Sequence, residues 1–517
     1  MKIIGLLTST TSLAWLCISA PALGQAVENA VKFDISPPFR DIQPVPKAQG
    51  AFAREHRVKK LPPLPSKQAA LADTALQKTA TKKLAIGAVT PFDGVGQENF
   101  NITGDPPDTN GSVGKTHYVQ WVNTGLAIFD KATRKPVSTM PKPVDGNLLW
   151  TGFGGNCEIF NDGDPIVLYD KAADRWFLTQ FAVSKAPFSE CIAVSTSADP
   201  TGTYARYEFQ YQDFNDYPKF GVWPDGYYGT YNMFRGNAFL GSKVCAFERD
   251  KMLSGAAARM QCFDVANQGG ILPSDLDGPT PPPAGAPNYL TNFGSDTLNL
   301  WKFHVDWANP TASTFVGPTM IKTAPFEIAC KNAPTIGECV KQPNTNETLD
   351  TLSDRLMFRL AYRNLGDREV LVVNHSVVAG TSSGIRWYEV RDPGGTPKIF
   401  QQGTYAPNSA YRWMGSIAMD RAGNMLMGYS VSGKTVFPAI RFTGRSANDP
   451  PNQMAIEESA VKGKGSQSNP ERWGDYASMS IDPSDDCTFW FSTQYLANTG
   501  SFNWRTSIIP VKFTNCQ

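Results

Sequence analysis

Residues 472–495, RWGDYASMSIDPSDDCTFWFSTQY, set a short alternating run (Met479, Ile481) before a turn of Asp482, Pro483, Ser484 and Asp485. A second run dense in β-formers follows, with Thr488, Phe489, Trp490 and Phe491. Two period-2 runs joined by such a turn predict a β-hairpin with one buried face. The same order of charged or aromatic opening, strand, turn and strand returns in residues 108–123, 163–181, 216–234, 355–375 and 412–431. Openings at 108, 164, 216, 355, 412 and 472 stand 56, 52, 57 and 60 residues apart, except for a gap of 139 after 216. Residues 275–293 and 298–307 are the candidates for one further, diverged unit inside that gap. Units of this length suit four short strands with their loops, as in a propeller blade. The predicted fold class is therefore all-β, a β-propeller of four-stranded antiparallel blades, with seven blades preferred over six.

Composition agrees with the pattern. Forty-four Gly and 39 Pro with few helical runs mean many turns. The 48 basic and 47 acidic side chains nearly cancel. No global field then draws nucleic acid or an anionic membrane, and charge recognition has to be local.

The amino terminus changes the picture more. Lys2, an apolar segment to about residue 19, and small residues at Ala22 and Gly24 read as a signal peptide, residues 1–24, with Gln25 first after cleavage. The segment is too short for a stable membrane span and no other stretch is long enough, so the expectation is a secreted or periplasmic protein without membrane insertion. In an oxidising compartment the eight remaining cysteines form a disulfide set. Pairing sequence neighbours, Cys157 with Cys191, Cys245 with Cys262, Cys330 with Cys339 and Cys487 with Cys516, keeps each bridge local, although 105 pairings exist in principle. Residues 25–95 are rich in proline and lysine and poor in aromatics, which predicts a disordered leader or propeptide, with a strap across the propeller surface as the alternative. The propeller domain occupies 96–517. It opens near residues 92–103 and closes at 507–513, one terminus completing the sheet of the other.

Residues just before the innermost strands ring the mouth of a propeller's central channel. The repeated openings place Asp108 and Asn110, Asp164, Asp216 and Lys219, Arg355, Arg412 and Trp413, and Arg472, Trp473 and Asp475 on that ring. Carboxylates, guanidinium groups and flat aromatics together suit a sugar, whose face stacks on a ring and whose hydroxyls and carboxylate take hydrogen bonds. Glycosidic cleavage needs two carboxylates, one of them protonated. Asp164, Asp475 and Asp216 are the catalytic candidates, with Asp108, Asn110, Lys219, Arg355, Arg412, Trp413, Arg472 and Trp473 as substrate contacts. Asp at such positions also caps turns or pairs with Arg of the next blade, and Trp also packs between blades. Oxygen-rich stretches around Asp162 and around Asp482 and Asp485 admit Ca²⁺, a hard cation, or simple Asx turns. No cofactor is required. The histidines lack zinc spacing, and no nucleophile elbow, P-loop or dinucleotide fingerprint occurs in a fitting context.

Gly163-Asp164-Pro165-Ile166-Val167-Leu168-Tyr169-Asp170, with Arg175-Trp176-Phe177-Leu178 after the turn, resembles the blade starts of secreted carbohydrate-active propellers of the sialidase-like and furanosidase-like kinds. The closing RWGDY motif and the opening PPDTNGSVG motif resemble a family of secreted bacterial propellers of largely undefined function. The resemblance implies the scaffold and the place of the site; the expectation from the ring residues is a monomer that hydrolyses or lytically cleaves a glycan in its central funnel. The alternative is a propeller that binds glycans or surface proteins without catalysis.

Overall fold

The computed structural model describes residues 24–43, 58–63, 71–100, 106–469 and 471–517. The segment read as a signal peptide lies outside these, apart from Gly24.

Aspartates set the hairpin turns. Asp170 accepts the N–H of Ala173 at 3.1 Å, Asp420 those of Ala422 and Asn424 at 2.9 Å, and Asp482 that of Ser484 at 2.9 Å. Each turn then passes through a left-handed residue, Asp174, Gly423 or Asp486, a conformation that short polar residues and glycine tolerate. The strand that follows is buried on both faces, as in Arg175–Ala182 and Thr488–Tyr495. Phe177 packs on Phe220 and Tyr227 on one side, while Trp176 belongs to a second apolar layer with Trp121 and Trp150.

The strands that open the sheets are Thr109–Val113, Ile166–Asp170, Phe214–Trp223, Leu272–Asp277, Met357–Asn364, Tyr411–Met419 and Ser478–Ile481. They touch in that order, and the last touches the first. Behind each, further strands are added in antiparallel sequence order. This closed circuit of meanders is a β-propeller. Leu272–Asp277 also pairs in parallel with Met357–Asn364, which fuses two meanders into a nine-stranded sheet. The long interval between 216 and 355 holds, after the meander that starts at Phe214–Trp223, a further four-strand meander, Leu272–Asp277, Asn288–Gly294, Thr297–His304 and Thr314–Lys322, and a short pair, Glu338–Lys341 with Thr348–Asp350. Phe92–Gly96 pairs with Arg505–Lys512 and so closes the last sheet with an amino-terminal strand. The four disulfides join Cys157 to Cys191, Cys245 to Cys262, Cys330 to Cys339 and Cys487 to Cys516. Among the described residues no helix is long and apolar enough to cross a membrane.

The described parts of residues 25–95 correct the expectation of a disordered leader. Gln25–Asn29 pairs with Arg259–Val265, Lys32–Ile35 with Tyr204–Tyr211, and Leu76–Gln77 with Lys398–Tyr405. Each covers the outer edge of a sheet, where unpaired N–H and C=O groups want partners. Edge pairing is made by the backbone, so it needs no apolar pattern in the covering strand.

Packing between sheets is close enough to be tested by one methyl group. Gly428 lies under the ring of Phe491 from the next sheet, and a Cβ there would run into that ring. Gly428→Ala is expected to cost about 1–3 kcal/mol by overpacking. A urea midpoint that falls at unchanged slope would show it, and an unchanged midpoint would refute it.

Candidate functional site

Local backbone geometry aims the ring residues inward. Asp108 (φ 44°) precedes Thr109–Val113 and Asp164 (φ 47°) precedes Ile166–Asp170, both in the left-handed region. In Phe214–Trp223 the register shifts between Asp216 and Lys219, with Tyr217 at φ 56°. A bulge of this kind turns side chains out of the alternation, here toward the channel.

The result is a buried polar cluster. Asp108 Oδ1 accepts the Asp475 N–H at 2.8 Å, and both Asp475 carboxylate oxygens lie 2.8 Å from Arg472 Nη2. The Lys219 amine sits between two rings, 3.6 Å from the centre of Tyr217 and 3.9 Å from that of Tyr476. The Arg355 guanidinium lies 4.4 Å from the Tyr217 ring centre and pairs with Asp354 at 2.8 Å. Asn110 Oδ1 accepts the Val167 N–H at 2.7 Å, and Asn123 Oδ1 that of Asp164 at 3.3 Å. Glu190 reaches the group from Phe188–Ser195, the third strand of its sheet, bound by Thr179 and by Asn215 Nδ2 at 3.3 Å. Asp108 Oδ2, Asp216 Oδ1, Asn110 Nδ2 and Arg355 Nη1 have no hydrogen-bond partner among the described residues.

Five acids, Asp108, Asp164, Glu190, Asp216 and Asp475, thus face three bases, Lys219, Arg355 and Arg472, out of water. Burial, with the Asp164 charge, pushes Asp216 up to about 8, against the pull of Arg355. Burial takes Glu190 to about 8 as well. Asp108 is raised well above the carboxylate range by burial and by Asp475 and Asp164, and Asp475 is raised by burial against Arg472 and Arg355. Burial lowers Lys219 to about 8 although Asp164, Asp108 and Asp475 favour its charge. The cluster can therefore hold protonated and ionised carboxyl groups side by side at neutral pH.

Of the residues anticipated from sequence, Asp108, Asn110, Asp164, Asp216, Lys219, Arg355, Arg472 and Asp475 are drawn into or onto this cluster. Arg412, Trp413 and Trp473 have other places. Arg412 forks onto Glu457 at 2.9 and 2.8 Å, and although burial opposes it, Arg412 and Arg441 hold the Glu457 carboxyl at about 2. Trp413 and Trp473 pack on each other in the core with ring centres 5.4 Å apart. The three candidate calcium ligands are spent on separate local contacts. Asp162 accepts from the Val183 and Ser184 backbones, Asp482 from Lys131, Ser484 and Trp490, and Asp485 from Cys487, Thr488 and Lys512. Among the described residues no group of three His, Cys, Asp or Glu could hold a metal ion. Glu190, Tyr217 and Tyr476 are the members that were not singled out; an acid inside the apolar run FSECIAVS was the available signal for Glu190.

Two further features frame the cluster. Residues 58–63 cross its mouth: the Lys59 N–H donates to Asp216 Oδ2 at 3.0 Å and the Lys59 carbonyl accepts from Arg355 Nη2 at 3.0 Å. At the far ends of the same ring strands lies a cavity of about 750 Å³, lined by Lys115, Lys171, Trp223, Arg249, Arg421 and Pro483 among others.

No protein-family model matches the sequence, and no curated protein matches it. Solved structures similar to this chain include a protein of unknown function from Dyadobacter fermentans, at 10% identity and TM-score 0.35 over 82% of this chain and 99% of that one. An ulvan lyase is similar at 11% identity and TM-score 0.33 over 83% of this chain and 97% of that one. An endo-arabinase from Bacteroides thetaiotaomicron is similar at 11% identity and TM-score 0.29 over 68% and 95%. Likeness at this level carries no argument about activity.

Proposed function

We propose that this protein is a secreted or periplasmic, monomeric propeller of seven blades that cleaves a glycan, by hydrolysis or lytic elimination, at the carboxylate cluster of its central funnel. The observation that carries the reading is the convergence of Asp108, Asp164, Asp216 and Asp475 from separate ring strands on one water-poor site. In hydrolysis Asp216 gives its proton to the leaving glycosidic oxygen, and Asp164 or Asp475 attacks the anomeric carbon or activates water there. Arg355, Arg472 and Lys219 hold an anionic sugar, and Asp108 and Asn110 take hydroxyls. Export is supported by the four disulfides and the apolar amino-terminal segment.

One observation favours the second reading, glycan binding without catalysis: the cavity at the opposite mouth is roomy, whereas Asp108, Asp164, Asp216, Lys219 and Asp475 are each 3% exposed or less. The chain from Gln25 is tested on a polysaccharide panel for new reducing ends or unsaturated uronate ends, with Asp164→Asn alongside. Turnover that the variant loses supports cleavage. Binding without turnover, abolished by Arg421→Glu, replaces it with recognition at the opposite mouth.

A further inference from the structure

We propose that residues 58–63 are an autoinhibitory strap, and that the funnel site reaches its substrate only when this strap is displaced. The inference rests on the glycan-cleaving reading of the cluster.

Three facts carry it. First, the strap engages the working groups themselves. Its Lys59 amide and carbonyl occupy Asp216 and Arg355 with one donor and one acceptor, the pair that a sugar hydroxyl would present to the same two side chains. Second, it is fitted to this mouth. Val58 is buried in the apolar cluster that contains Tyr217 and Tyr476, and the Lys60 amine pairs with Asp350. The Leu61 N–H donates to Asp354 Oδ2 at 2.9 Å. A Cβ on Gly269 would lie 2.6 Å from Leu61 Cδ2, so the leucine occupies space that only glycine leaves. The Lys59 amine sits over Phe214 and Phe234, 5.2 and 5.0 Å from their ring centres. A basic segment thus lies on a mouth rich in acids.

Third, its attachment differs from that of the other amino-terminal pieces. Gln25–Asn29 and Lys32–Ile35 are zipped into sheets by ladders of four or five residue pairs, whereas residues 58–63 join no strand. Lys60, Pro62 and Pro63 are exposed. A segment held by a few polar contacts, two apolar side chains and no ladder opens at lower cost than the fold around it. Displacing it would leave the edge strands, the closing strand Phe92–Gly96 and the disulfides in place.

The test is carboxyl footprinting of the folded chain with a carbodiimide and glycine ethyl ester, read by peptide mass spectrometry at Asp216. In the parent Asp216 is expected to be protected. Val58→Gly, Lys59→Ser, Lys60→Gly and Leu61→Ser together are expected to abolish the protection, and the free peptide VKKLPP added in trans to restore it. Should the fourfold variant misfold, Lys60→Glu alone, which turns the Asp350 contact repulsive, is expected to raise labelling in the same direction. Equal labelling of parent and folded variants overturns the strap. Labelling that rises without any glycan bound or cleaved leaves the strap standing and removes the proposed function. Full turnover by the parent, unchanged in the folded variants, does the reverse.

Discussion

Replacing Arg359 with Ala is expected to destabilise the protein by about 3–5 kcal/mol, because it strands buried carboxylates without a counter-charge. The guanidinium sits inside the channel and ties three ring strands together. From Met357–Asn364 it donates through Nε to the Met479 carbonyl at 2.7 Å and through Nη1 to Asp275 Oδ2 at 3.1 Å, while Nη2 binds Asp277. Burial pushes against the charge of Asp277, and Arg359, Lys171 and Arg363 together keep its carboxyl below the usual range. Without Arg359 the nearest cation to Asp277 is Lys171 at 3.3 Å, and Asp275 is left at its raised position with less to oppose burial. Arg359→Lys keeps the charge but has no planar fork with which to reach three acceptors, so it should recover only part of the loss. Urea unfolding at neutral pH measures both variants. The Ala variant should regain stability relative to the parent as pH falls toward about 4, since the stranded acids then bind protons that Arg359 no longer opposes. A cost below about 1 kcal/mol at neutral pH would show that the channel pairs are not what joins the strands.

How far the sequence could be read depends on which interaction is asked about. The hairpin of residues 472–495 was legible because its alternation and its Asp482 turn are local, and the structure keeps both. The convergence of Asp108, Asp164, Asp216 and Asp475 was legible for a related reason: each stands at a strand start, and strand starts in a closed ring meet at one mouth. The same logic failed at Arg412 and Trp413. There the register shifts between Trp413 and Ser416 with Met414 left-handed, Arg412 forks onto Glu457 and Trp413 packs on Trp473. Periodicity carries no trace of such a bulge. Glu190 was missed because it lies on a third strand, away from the strand starts, and enters the cluster beside Asn215. The amino-terminal edge strands were missed because ladder hydrogen bonds ask little of side chains. The opposite-mouth cavity was invisible for a third reason, being built from turns of several sheets that no single stretch encodes.

Raising the pH from about 5 to about 8 is expected to weaken the fold by several kcal/mol, with the buried carboxyls of Asp108, Asp216 and Glu190 carrying the slope. In the unfolded chain these carboxyls ionise near 4. In the folded protein burial holds Asp216 and Glu190 each at about 8. Between these values the native state binds more protons than the unfolded state, so the stability they contribute is complete below about 4 and drains away as pH rises toward 8. Lys219 works in the other direction but later. Its folded value of about 8 lies below the ordinary lysine value, so the unfolded state is the better proton binder only above pH 8, where the lysine begins to offset the acids. Each pH step below 8 therefore costs no more than about 1.4 kcal/mol per group and unit from Asp216 and Glu190, and Asp108, which burial, Asp475 and Asp164 also raise, adds to the slope in the same direction. Urea midpoints measured across this range should fall steadily in the parent and fall distinctly less in Asp216→Asn with Glu190→Gln, whose neutral side chains mimic the protonated acids. A level parent curve would mean that water reaches the cluster and that its acids ionise normally. That result would also take away the protonated Asp216 on which the proposed cleavage depends, whereas a slope that the double variant reduces would place the alkaline limit of turnover near the same pH.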